Sequence, residues 1–241
     1  MTPEQYLHHL AVNGDQLSEI AATADLSTEV PSCPGWDLEQ LLTHCAGVWT
    51  LVADSIRAGE RTAANSAAVE PRSPILSDWH AAAVTDLHRL LADLGSDAEV
   101  WTFTPRISTA SFWMRRMANE SAMHLWDAQG ALGDPTPIDA EMAVDGIDEF
   151  LEHYIGDRRP DIFAGNGETL HLHSTDAHGE WVITRTAEGI EVEHAHAKGD
   201  VAARGPASDL LLMVWGRKLP EDLEVFGEMS LLTEWQEKVR F

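Results

Sequence analysis

Positively charged residues are the scarcest chemical class in this chain. Sixteen Lys and Arg residues stand against 40 Asp and Glu residues, which gives the 241-residue sequence a formal net charge of −24. Such a surface repels phosphate backbones and anionic lipid headgroups. Nucleic acids and membrane surfaces are therefore not expected as partners.

Cysteines and long apolar runs are also scarce, and no signal peptide is expected. The two cysteines, Cys33 and Cys45, provide no disulfide framework, which is typical of proteins from a reducing compartment. No run approaches the roughly 18 apolar residues of a membrane-spanning helix, and the segment MTPEQYLHHL has no basic stretch before an apolar core. We therefore expect a soluble, cytoplasmic protein, as a monomer or a homodimer.

What the sequence does contain, up to about residue 155, is helical periodicity. The segments TPEQ at residues 2–5 and DLEQ at residues 37–40 both predict a capping box at a helix start. Ser77 predicts the cap of a third helix, which ends at Gly95, and further helices are predicted over about 109–130 and 139–154. Residues 1–157 are thus predicted to form a helix bundle of four or five helices.

After Pro160 the pattern changes to short segments of alternating polarity, separated by turn residues. Two helical patterns follow, over 207–216 and about 228–239. We therefore predict an α+β protein, with a small α+β domain over residues 158–241. The predicted strands are Thr169–Thr175, Trp181–Thr186, Ile190–Ala195 and Val201–Arg204.

Three side chains of the types that bind metal ions are predicted to face the bundle interior. Glu120 and His124 are four residues apart and share one face of the fourth helix. His44 lies in the apolar stripe of the second helix. An interior carboxylate is costly unless it is paired or bound to a metal. Two histidines and a carboxylate form the ligand set of an open zinc site, although the same residues also occur as a core histidine and an ordinary helix-face pair.

Two other metal patterns fail. A di-iron bundle needs Glu-x-x-His on two helices, whereas the spacing here is one residue longer and occurs once. A zinc-peptidase helix needs His-Glu-x-x-His, but Asn119 and Met123 occupy the positions of the two histidines.

Other residues with possible chemical roles are interpreted conservatively. His171 and His173 are predicted to share one strand face, and His194 and His196 another. Such a cluster could bind a metal ion if the strands paired in register, but we interpret all four as solvated polar positions, since no carboxylate or cysteine completes a ligand set. Cys33 is interpreted as a small turn residue and Cys45 as a residue that points away from His44. Four arginines could provide a local anion site: Arg115, Arg116, Arg204 and Arg217.

Four separated segments together resemble one family. VPSCPGWDLEQLLTHCAGVW (30–49) and RRMANESAMHLWDAQ (115–129) resemble the two signatures of the mycothiol-dependent maleylpyruvate isomerases, which are DinB-like metal-binding bundles. LHLHSTDAHGEW (170–181) and RGPASDLLLMVWGRKLPEDLEVFG (204–227) resemble the sterol-carrier-like C-terminal domain of that family. The resemblance covers nearly the whole chain in the same order.

The resemblance implies a zinc site and a thiol cosubstrate. The family's metal ligands match His44, Glu120 and His124, and its active-site arginine matches Arg217, with Arg204 as the second choice. Zinc, or another divalent first-row metal, and mycothiol are the implied cofactor and cosubstrate. Asn119 and Leu125 depart from the His and Arg that many relatives have beside the metal ligands.

The implied function is a zinc-dependent, mycothiol-using enzyme. It would act either as a cis–trans isomerase of the maleylpyruvate type or as a thiol S-transferase on electrophilic small molecules. Two alternatives remain open. One is a non-catalytic module that binds an apolar or acyl ligand, and the other is a zinc hydrolase with Asp127 as the nearby candidate base.

Overall fold

The computed structural model describes residues 1–104 and 106–239 and divides the chain into two compact units, Met1–Thr136 and Pro137–Phe241. The first unit is helical and the second contains a sheet, which confirms the predicted α+β class with an N-terminal bundle. The second unit begins earlier than the change of periodicity near residue 158, because the helix before that point packs against a later helix of the same unit.

The first unit is a bundle whose first two helices begin at the predicted capping boxes. Thr2 and Gln5 form one box, and Asp37 and Gln40 form the other. Gly59 ends the second helix with φ of 74°, a left-handed conformation that favours glycine. The helices are α1 (Pro3–Thr23), α2 (Leu38–Ala58), α3 (Leu76–Leu94) and α4 (Ala110–Ala131), with a 3₁₀ turn at Ser66–Ala68.

Apolar stripes hold the bundle together. α1 packs against α3 and α4, and α2 packs against the same two helices. A Cβ atom on Gly14 of α1 would collide with the side chain of Val84, so this glycine permits the close approach of α1 and α3. The fully buried core side chains include Leu10, Leu17, Leu41, Trp49, Leu87 and Met114.

The second unit is built around a five-stranded sheet of order β3-β2-β1-β4-β5. β1 and β4 are parallel, and the other neighbouring pairs are antiparallel. Helix α5 (Ala140–Glu149) continues into a π-helical segment, Phe150–Arg158, and a 3₁₀ turn, Pro160–Phe163. The later elements are β1 (Thr169–Ser174), β2 (Glu180–Thr186), β3 (Gly189–Glu193), β4 (Val201–Gly205), α6 (Ala207–Val214), a 3₁₀ turn (Pro220–Asp222), β5 (Glu224–Gly227) and α7 (Met229–Lys238).

Alternation along the central strands gives the sheet one apolar face. Leu170 and Leu172 of β1 lie beside Ile183 and Trp181 of β2, and all four are buried. The intervening residues of β1, which include His171 and His173, therefore occupy the opposite face. Helices α6 and α7 pack against this sheet at β4.

In the described part of the chain, no helix combines the length and apolar character needed to cross a bilayer.

Candidate metal centre

The three predicted ligands meet between α2 and α4. Nε2 of His44 lies 3.1 Å from Oε1 of Glu120, and Nε2 of His124 lies 3.3 Å from the same oxygen. The ligating atoms of the three residues all lie within 4.8 Å of one another. Helical spacing places Glu120 and His124 together on α4, and the packing of α2 against α4 adds His44.

Each histidine is held at its other ring nitrogen. Nδ1 of His44 is 3.0 Å from Oγ of Ser66, and Nδ1 of His124 is 3.0 Å from Oδ2 of Asp127. Such contacts fix ring orientation and direct Nε2 of both rings toward the same point. Sequence reasoning placed Asp127 at the edge of the cluster but missed Ser66, because Ser66 lies in an irregular connection without a spacing signal.

Arg116 favours the ionised form of Glu120. The guanidinium group pairs with Oε2 of Glu120 one helical turn away, which leaves Oε1 directed at the two histidines. Burial alone would raise the pKa of Glu120, but Arg116 and His124 hold that pKa well below its usual range. The ionised form is the one that binds metal ions.

The same charges act on His124. Burial opposes its protonation, yet Glu120 and Asp127 together raise the pKa of His124 to about 9. A bound cation would occupy the Nε2 side of His124, which faces Glu120, while Nδ1 would keep its hydrogen bond to Asp127.

The donor set fits a zinc ion or another divalent first-row metal. Two imidazole nitrogens and one carboxylate oxygen are ligands that Zn²⁺ accepts, and the contacts to Ser66 and Asp127 are those expected of metal-binding histidines. The side chains of Glu120 and His124 are nearly buried, but that of His44 is 27% exposed. An ion held here would therefore keep an approach from solvent on the side of His44.

The irregular segment before α2 also contacts this site. The ring of Trp36 lies 5.2 Å from that of His44, and the thiol of Cys33 donates to Oδ2 of Asp127 at 3.6 Å. Cys33 thus links residues 30–37 to the carboxylate that orients His124. Cys45 is fully buried, and burial, together with Glu120 and Asp127, raises the pKa of its thiol well above the usual value.

The candidate arginines occupy different settings. Arg116 contacts a metal-ligand candidate, Glu120. Arg217, in the second unit, places its guanidinium group 5.9 Å above the ring of Trp215 and donates to the Trp215 carbonyl oxygen. Arg204 forms an exposed ion pair with Glu224 at 2.7 Å.

Two family models match the chain. Residues 7–129 match the family model of the mycothiol maleylpyruvate isomerase N-terminal domain, and residues 141–234 match that of the MDMPI C-terminal domain. No curated protein matches the sequence significantly.

Two solved structures share the fold. A crystal structure of a histidine-to-alanine mutant of the mycothiol-dependent maleylpyruvate isomerase is 16% identical with a TM-score of 0.63. A second crystal structure of the mycothiol-dependent maleylpyruvate isomerase is 17% identical with a TM-score of 0.59. Each alignment covers 95% of both chains. Since the N-terminal match alone spans more than half of the sequence and the C-terminal match follows it in order, the chain belongs to the mycothiol maleylpyruvate isomerase family.

Proposed function

We propose that this protein is a zinc-dependent enzyme that uses mycothiol to isomerise, or to conjugate, an electrophilic small molecule of the maleylpyruvate type. The observation that carries the proposal is the convergence of His44, Glu120 and His124 on one point, in a chain both of whose halves match this family. Another divalent first-row metal would suit the same ligands.

The chain's own residues prepare the site before any ligand enters. Ser66 and Asp127 hold the two imidazole rings, and Arg116 holds Glu120, so the three donors need little rearrangement. A zinc ion bound by these donors would lower the pKa of a thiol and supply thiolate at neutral pH. The partial exposure of His44 provides the side from which a thiol would approach.

The proposed reaction begins with addition of the mycothiol thiolate to an alkene carbon of the substrate. The carbon–carbon double bond becomes a single bond, and the electron pair moves to the conjugated carbonyl group as an enolate. Rotation about the single bond and return of the electron pair expel the thiolate and leave the trans alkene. If a different group leaves instead, the thioether is retained and the outcome is S-transfer.

Arg217 is proposed to bind the substrate carboxylate or the developing enolate, with Arg204 as the second choice. An arginine can form two parallel hydrogen bonds to a carboxylate, and it stabilises negative charge that develops during the reaction. The position of the Arg217 guanidinium group over the Trp215 ring, which orients the side chain, supports this choice.

The hydrolase alternative is less well supported. A general base for water would have to be Asp127, but Oδ2 of Asp127 contacts Nδ1 of His124 and accepts from the thiol of Cys33. That carboxylate orients a metal-ligand candidate and lies on the far side of the ring from Nε2. The binding-module alternative predicts neither metal retention nor thiol chemistry.

A metal and activity assay on His124→Ala tests the proposal. The variant should lose about one equivalent of zinc per chain and roughly a hundredfold or more of its rate with mycothiol and a panel of electrophiles. His88→Ala, on α3 outside the ligand cluster, is the matched control and should keep both properties. Unchanged zinc content and thiol-dependent turnover in His124→Ala would overturn the assignment.

A further inference from the structure

A second group of potential metal ligands lies on the sheet of the second unit. His171 and His173 alternate along β1 and therefore share a face, and Glu180 stands directly opposite His173 on β2. Oε1 of Glu180 is 2.9 Å from Nε2 of His171 and 2.7 Å from Nδ1 of His173. Strand register thus places two imidazoles around one carboxylate oxygen.

The fourth member comes from the connection between β3 and β4. Both strands run parallel to β1, so residues 194–200 must return along the sheet before β4 begins. His196 lies in this connection, and its Nδ1 is 2.5 Å from the same oxygen of Glu180. The three imidazole rings stand edge to face. The ring centroids lie 6.1 Å apart for His171 and His173, 5.6 Å for His171 and His196, and 6.0 Å for His173 and His196.

This geometry corrects the interpretation of these histidines as solvated polar positions. β3 ends at Glu193, so His194 and His196 do not share a strand face, and Glu180 supplies the carboxylate that the sequence pattern lacked. The four ligating atoms all lie within 4.8 Å of one another. Three ring nitrogens point at one carboxylate oxygen of Glu180. A cation at the centre of this group could therefore be bound by all four side chains.

The donor types narrow the identity of such a cation. Three imidazole nitrogens and one carboxylate oxygen suit Zn²⁺, Ni²⁺ or Cu²⁺, whereas Mg²⁺ and Ca²⁺ prefer oxygen ligands. His171 is buried but the side chain of His196 is 79% exposed, so an ion could enter from solvent beside His196. Four protein donors complete a tetrahedral shell, as in structural rather than catalytic zinc sites.

We propose that His171, His173, Glu180 and His196 form a second metal site, of structural type, for zinc or another late first-row divalent ion. The ion would fasten the connection 194–200 to β1 and β2 through His196. This proposal is independent of the function assigned to the bundle, because none of its ligands belongs to the first unit.

Zinc binding to the full-length chain tests the second site. In a His44→Ala, His124→Ala background, equilibrium dialysis against Zn²⁺ should leave about one equivalent per chain. Adding His173→Ala and His196→Ala together, which leaves two donors, should remove it. The side chain of His173 is 33% exposed and that of His196 is 79% exposed, so their replacement should not disturb folding. His194→Ala is the matched control, since His194 lies in the same connection but pairs with Asp148 at 3.5 Å and should keep the ion.

The same comparison in the otherwise wild-type chain controls for misfolding of the His44→Ala, His124→Ala variant. There, zinc content should fall from about two equivalents to about one when His173 and His196 are both replaced by Ala. In the His44→Ala, His124→Ala background, Co²⁺ should give the visible absorption of a four-coordinate ion, and replacing His173 and His196 should abolish it. Equal zinc content with and without these two histidines in both backgrounds would overturn the proposal. The four side chains would then form only a hydrogen-bonded cluster.

Discussion

Gly47 lies about one turn along α2 from His44, and its missing side chain determines where Ser66 can lie. A Cβ atom at position 47 would come within 2.7 Å of the carbonyl oxygen of Ser66. The 3₁₀ turn Ser66–Ala68 therefore closes on α2 only because residue 47 is glycine. That closure brings the Ser66 hydroxyl to Nδ1 of His44.

Gly47→Ala is accordingly expected to weaken metal binding without touching a ligand. The displaced turn should remove the contact between Ser66 and His44, and zinc affinity should fall by roughly tenfold, as for Ser66→Ala. A competition titration with a chromophoric chelator measures this, in a His173→Ala, His196→Ala background in which the second proposed site has too few donors to hold an ion. Gly130→Ala on α4, where the new methyl group meets no atom within 4 Å, is the control. Zinc affinity of Gly47→Ala within twofold of its parent would contradict this role.

At the residue scale, helix periodicity brought together the three candidate ligands but did not predict the residues that hold them in place. Glu120 and His124 could be paired from their spacing, and His44 from its place in an apolar stripe. Ser66 could not be found in this way, since its position depends on a close approach of two backbone segments. The same holds for Glu180, which reaches the three histidines through a strand register that the sequence does not specify.

Among the elements of the second unit, the pairing of β2 with α7 depends on a buried arginine. Arg185 is 6% exposed and forms two hydrogen bonds to Glu234, at 2.7 and 3.0 Å. It also donates to the carbonyl oxygens of Phe163 and Ala164, each at 3.1 Å. A single guanidinium group thus joins a strand, a helix and the turn before the sheet.

Arg185→Met should lower the free energy of unfolding by about 2 kcal/mol, since several charge-assisted hydrogen bonds are lost together. Urea denaturation measures the change, with Arg204→Met as the control because its exposed pair with Glu224 should contribute little.

Hydrogen bonds from Arg185 and Lys238 lower the pKa of Glu234 to about 2 from an ordinary 4.5. A carboxyl group whose pKa is lower in the folded than in the unfolded chain stabilises the fold at pH values above its unfolded pKa. The stability difference between wild type and variant should therefore shrink as the pH falls from 4.5 to 2. A difference that stays constant over that range would contradict the pairing.

The sequence predicted helices and strands best where local chemistry specifies their ends. The capping boxes at Thr2 and Asp37 mark the observed starts of α1 and α2. α3 instead begins at Leu76 after Ile75, without a side-chain cap, so Ser77 was the wrong start. β5 was missed because its four residues are too few to show alternation, and its pairing with β4 comes from tertiary structure.

At the scale of the whole molecule, the net negative charge determines how the protein interacts with charged ligands at long range. With a formal charge of −24, the protein repels an acidic substrate at long range, and binding must depend on a few local cations. Arg217→Met is expected to lower turnover or substrate affinity by roughly ten- to a thousandfold, the effect of one charge-assisted contact, while zinc content stays the same.

Steady-state kinetics at several salt concentrations measures the effect of Arg217→Met. Arg72→Met is the control, because Arg72 is half exposed and pairs with Asp54 on the bundle surface. Activity of Arg217→Met within about twofold of wild type would redirect the assignment to Arg204 or Arg116.

The separation of the bundle ligands along the chain has a consequence for how the protein folds. His44 and Glu120 are 76 residues apart, so they meet only after α2 and α4 have docked. Before that step, Glu120 and His124 alone offer two donors on one helix, too few to hold an ion firmly. The apolar stripes would therefore assemble the bundle first, and the proposed ion would enter a scaffold that is already in place. During synthesis, the cluster can form only once α4 has been made, so uptake of the proposed metal would mark the completion of the bundle rather than its nucleation.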